Sequence, residues 1–139
     1  MREDYADLLL AAHRWDDLQP IAESFVAEDS RNASALGYAL MLQGVALAKH
    51  GHRAEAEAVI AKVSTLGGPS AQVAGCGAVY AGRCGDWYRA AIAAALGDDA
   101  RAVSLLPPGF GTTGIAHRNV VGEMLHHYAP FQDLIKPRG

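Results

Sequence analysis

Residues 36–69, Leu36-Gly-Tyr-Ala-Leu-Met-Leu-Gln-Gly-Val-Ala-Leu-Ala-Lys-His-Gly-His-Arg-Ala-Glu-Ala-Glu-Ala-Val-Ile-Ala-Lys-Val-Ser-Thr-Leu-Gly-Gly-Pro69, read as two apolar helices joined at Gly51. Gly44 and Leu47 fall one turn apart on one face of the first helix, and Ala56 and Ile60 stand on the second where they can meet that face. Small residues at such a crossing let the two axes approach closely, so the stretch is a helical hairpin. Its first helix, from about Ala33 to His50, is apolar on nearly every side. That suits an element with neighbours on both faces, and it is expected to be the most buried of the chain. The second, Arg53–Leu66, turns Ala56, Val59, Ile60 and Val63 inward and Arg53, Glu55, Glu57 and Lys62 outward.

On the amino-terminal side, Tyr5, Leu8, Leu9 and Ala12 recur at helical spacing among acids, and Arg14-Trp-Asp-Asp17 reads as a tight turn with an Asp cap. A second helix follows with Pro20 in its first turn and Ile21, Ala22, Phe25 and Val26 as its apolar stripe. On the other side, Gly75, Gly77, Gly82 and Gly85 either thin a helix or break it. A break at 82–85 gives an extra helix at 71–82 and a helix Trp87–Leu96 capped by Asp86 and closed by Gly97. Gly97 and Ala102 then repeat the Gly-x4-Ala spacing of Gly51 and Ala56, which predicts a third hairpin. A helix from about Ala116 to Tyr128 and a short turn Pro130–Ile135 end the chain.

With 139 residues, half of them apolar, the chain is expected to be one soluble all-α domain. The net charge of −3 is unevenly placed, residues 1–30 carrying Glu3, Asp4, Asp7, Asp16, Asp17, Glu23, Glu28 and Asp29 against Arg2 and Arg14. Such a surface repels phosphate backbones and argues against nucleic-acid binding. No secretory signal follows Met1 and no uncharged run is long and helical enough to span a bilayer, so a cytoplasmic protein without membrane attachment is expected. Cys76 and Cys84 would lie roughly 12 Å apart on a continuous helix, beyond bridging distance. They are read as reduced, unless the helix breaks between them.

Laid against the tetratricopeptide pattern of aromatic-x2-Leu-Gly-x2-Tyr, then Ala-x3-Phe, then Pro, the central hairpin gives Leu40-x2-Gln43-Gly44-x2-Leu47, then Ala56-x3-Ile60, then Pro69. It resembles a tetratricopeptide repeat. Residues 2–30 are similar as a more degenerate copy, with His13 at the turn glycine, Leu18 at the small alanine and Ser30 at the closing proline. From His13 to Gly51 is 38 residues, about a turn beyond the usual period of 34, so a long first helix is expected in the central hairpin. The run Trp87–Leu106, then His117, then Tyr128–Gly139 resembles the carboxy-terminal end of tetratricopeptide regions in large bacterial multidomain proteins. There such a region follows a serine/threonine kinase or transcriptional-activator domain.

The resemblance implies a right-handed stack of antiparallel hairpins at about 2–30, 33–66 and 86–106, an extra helix at 71–82 and a cap at 115–136. It implies a non-catalytic scaffold or regulatory module that binds another protein or an apolar helical peptide, or a second copy of itself, with no cofactor. In such stacks the first helix of each hairpin lines an inner groove, here through Tyr38, Met41, Val45, Lys49, Trp87, Ala91 and Ala94. Met41 and Val45 stand where some family members carry the basic and amide groups that clamp a terminal carboxylate, so an apolar helix is the expected guest.

A different class of function would use Gly109-Phe-Gly-Thr-Thr-Gly114, a G-x-G-x-x-G match before a helix, together with His117. No strand precedes that loop and Pro107-Pro108 leads into it, so a connector is the plainer reading. Among the six histidines, His50 and His52 flank a turn, while His126 and His127 point about 100° apart on a helix and cannot readily chelate one ion. No metal site is expected. Kinase signatures and a Gly-x-Ser-x-Gly elbow are absent from the sequence.

Overall fold

A computed structural model describes residues 2–29, 31, 33–66, 84–106 and 120–136. The described residues form eight helices and no strand: α1 (Arg2–Ala11), α2 (Trp15–Glu28), α3 (Ala33–Lys49), α4 (Arg53–Leu66), α5 (Cys84–Ala95), α6 (Asp99–Leu105), α7 (Val120–Leu125) and α8 (Ala129–Ile135). The extra helix expected at 71–82, the Gly109–Gly114 loop, His117 and Cys76 lie outside the described residues.

Four connections, 12–14, 50–52, 96–98 and 126–128, are three residues long, and each joins two helices into a pair. In the first three the backbone closes the same way. The amide of His13, Gly51 or Gly97 donates three residues back, to Leu10, Ala48 or Ala94, and the next amide donates five back, to Leu9, Leu47 or Ala93. This double closure satisfies the last carbonyls of the first helix and requires a left-handed residue at its centre. Gly51 (φ 80°) and Gly97 (φ 79°) supply it, and His13 adopts it at φ 56°. The position read from sequence as a degenerate turn glycine therefore has the turn's conformation.

α1 packs on α2, α2 on α3, α3 on α4, α4 on α5 and α5 on α6; α3 also lies against α5, and α5 against α7. One apolar cluster runs through all eight helices, and no polar or charged residue among those described is buried. Ala39, Leu40, Met41 and Leu42 are consecutive and all buried, so α3 is wrapped on every side. At 17 residues it is also the longest of the described helices. Ala56 and Ala102, the small residues one turn beyond Gly51 and Gly97, are fully buried.

Several local expectations change. A Cβ at Gly44 would meet the Ile92 side chain at 2.5 Å, and one at Gly37 would meet the Tyr88 ring at 3.0 Å. The close approach at Gly44 is thus to α5 rather than to α4. Because 37 pairs with 88 and 44 with 92, α3 and α5 run in the same sense. Arg14 is the N-cap of α2 and makes no side-chain cap, while Asp16 and Asp17 sit in the first turn, where carboxylates favour the exposed amides. Pro20 lies beyond that first turn, inside the helix. α5 begins two residues before Asp86, which pairs with Arg89 rather than capping the helix.

The carboxy-terminal cap is a short helix pair. Pro130 occupies the first turn of α8, where its missing amide costs little. Phe131 is fully buried and Ile135 nearly so, both within the common core. Between pairs, Arg101 Nη1 reaches both oxygens of Glu57 at 3.0 and 2.8 Å, tying α6 to α4, and His127 Nε2 lies 2.7 Å from Asp99 Oδ2, tying the α7–α8 turn to α6. No helix among the described residues is long and apolar enough to cross a membrane.

Candidate functional site

Helical spacing assembles a cleft. Asp7, Leu10 and Ala11 share one face of α1, Tyr38 and Met41 one face of α3, and Val120 and Glu123 one face of α7, while α5 contributes Trp87. Among the described residues these eight line a cleft of about 360 Å³ that is open to solvent. Every one comes from the first helix of a pair. Leu10 and Met41 are buried and form the floor, Tyr38, Trp87 and Val120 are half-buried, and Asp7, Ala11 and Glu123 are exposed at the rim.

Two polar contacts hold the rim. Tyr38 Oη donates to Asp7 Oδ1 at 2.5 Å, joining α3 to α1. Burial, then this hydrogen bond and the charge of Asp7, push the phenol of Tyr38 well above its ordinary pKa. Tyr38 therefore keeps its proton and remains the donor of this bond. His13 Nε2 lies 2.9 Å from Glu123 Oε1 and, facing a carboxylate, must carry the donated proton. That contact brings the turn of the first pair to the first helix of the last pair. The His13 ring in turn stacks on Trp15, centroids 5.3 Å apart and planes 18° from parallel.

Of the seven groove residues expected from sequence, Tyr38, Met41 and Trp87 line this cleft. Val45, Ala91 and Ala94 are instead core, at 0, 0 and 5% exposure. The reason is the α3–α5 contact: where Gly44 lets Ile92 in, the two helices close on each other and shut in the residues beside the crossing. Lys49, at the far end of α3, is exposed and holds its ammonium 5.8 Å from the Trp15 ring. The sequence reading missed Asp7, Leu10, Ala11, Val120 and Glu123, because it drew the groove only from the first helices of the second and third hairpins and read the tail as a cap. The i, i+3, i+4 spacing of Asp7, Leu10 and Ala11 was the available signal.

Among the described residues, the cleft combines an apolar floor, two aromatic rings and two carboxylates, with no lysine or arginine in its lining. Trp87 packs obliquely on Tyr88, centroids 5.0 Å apart, and its indole nitrogen is shut from water with no hydrogen-bond partner among the described residues. Among the described residues no group of three or more His, Cys, Asp or Glu is placed to hold a metal ion. No family model, no curated protein and no solved structure matches the chain.

Proposed function

We propose that the chain is a non-catalytic protein-interaction module, a right-handed tetratricopeptide-like stack that receives a partner segment on its inner face in a cytoplasmic setting. The observation that carries this reading is the origin of the cleft: all eight of its lining residues among those described belong to α1, α3, α5 and α7, the first helices of successive pairs. A stack of helical hairpins presents those helices on its concave side, and extended concave surfaces are what such stacks use for binding. The parallel run of α3 and α5 and the three matching turns support the same arrangement.

Selection of a peptide library on the whole chain tests the proposal, with Ala11→Trp as the control. Ala11 is exposed on the cleft wall, so a large ring there fills the cleft without entering the core. Selected peptides are expected to bind the parent and to lose about tenfold or more in affinity to the variant, whose melting temperature stays close to the parent's. Peptides that bind both equally, or a selection that enriches none, would overturn it.

A further inference from the structure

The lining of the cleft says what kind of side chain it takes. We propose that it accepts a cationic side chain, arginine above lysine, presented by a partner peptide, with the methylenes over Leu10 and Met41 and the charge near Asp7 and Glu123. This rests on the interaction role proposed above and goes beyond it by fixing the chemistry of the guest.

Three features argue for a cation. First, the two charged residues of the lining among the described residues are both acids, and Glu3, one turn before Asp7 on α1, adds its negative charge at Tyr38. A cleft lined by one sign of charge concentrates the opposite charge at its mouth. Second, neither carboxylate is used up. An ionised carboxyl offers about four lone-pair sites, of which Tyr38 engages one on Asp7 and His13 one on Glu123. Tyr38, itself the protonated donor, holds Asp7 in place and does not compete with it for a cation. Third, Tyr38 and Trp87 offer aromatic surface beside these charges. A guanidinium is suited to that combination, since it stacks on rings and donates to carboxylates in the same plane.

Size narrows the guest further. About 360 Å³ lies near the lower end for ligand pockets and is less than one turn of a helix about 10 Å wide would fill. One long side chain and the groups flanking it fit; a helix laid lengthwise does not.

The test uses the whole ¹⁵N-labelled chain and three capped tripeptides: leucine-arginine-leucine, the same with neutral citrulline in place of arginine, and the same with glutamate. The indole cross-peak of Trp87, assigned by its loss in Trp87→Phe, is the readout. The arginine peptide is expected to move it with a Kd about tenfold below that of the citrulline peptide, and the glutamate peptide is expected to bind weakest. In Asp7→Asn with Glu123→Gln the amides still accept from Tyr38 and His13, both sites are exposed, and the arginine preference should fall to about unity. Equal binding of the arginine and citrulline peptides, or a preference for glutamate, overturns the cationic guest. If a library-selected peptide moves the Trp87 signal and the arginine peptide does not, the cationic guest fails while the interaction role stands. Failure of the library selection removes both.

Discussion

His13, Gly51 and Gly97 hold the same left-handed turn, the first with a side chain and the other two without one. A Cβ at Gly51 would meet nothing within 4 Å, so steric room is not what the glycine provides. Gly51→Ala is expected to cost about 1–2 kcal/mol through backbone conformation alone, read as a lower urea midpoint with unchanged helix content. Tyr38 gives a second expectation. Its folded pKa lies above the unfolded value of about 10, so the stability it contributes is whole below that pH and is lost as pH climbs through the folded value. Melting temperature should decline above about pH 10 and decline less in Tyr38→Phe, with Tyr88, also raised by burial, supplying part of the remainder.

Helices were legible in proportion to how sharply their ends are punctuated. α4 occupies the residues expected of it, Arg53–Leu66, because Gly51 precedes it and Gly67-Gly68-Pro69 follows. The turn between α7 and α8 is built from His126, His127 and Tyr128, with no glycine to mark it, and Pro130 reads as a break although it opens a helix. Periodicity also leaves the neighbour open: it put Gly44 on a contact face, and the fold chose Ile92 of α5 as its partner. The cleft shows the same limit. Tyr38, Met41 and Trp87 are legible from the first helices of the second and third pairs, whereas Asp7 and Glu123, also on first helices, belong to the first and last pairs, which periodicity gives no reason to bring together. The α3–α5 contact can be checked by a double-mutant cycle. Gly44→Ala should cost about 1–3 kcal/mol by overpacking and Ile92→Ala about 2–5 by leaving a cavity. The two together should fall short of the sum by about 1 kcal/mol or more, since the alanine at 44 then has space; strict additivity would mean the helices do not meet there.

At the scale of the whole molecule, helix pairs in sequence touch their neighbours, and the His13–Glu123 contact spans from the first pair to the last. Both side chains are more than half exposed, at 59 and 54%, so the contact is worth at most about 1 kcal/mol. His13→Ala should leave the melting temperature nearly unchanged. It should nevertheless widen the distribution of distances between spin labels at Ala12 and Gln132, both exposed; an unaltered distribution would show that packing alone holds the ends. A contact worth at most about 1 kcal/mol, less than about two units of thermal energy, breaks and re-forms without unfolding any helix, so parting His13 from Glu123 to admit a guest is expected to cost the protein little.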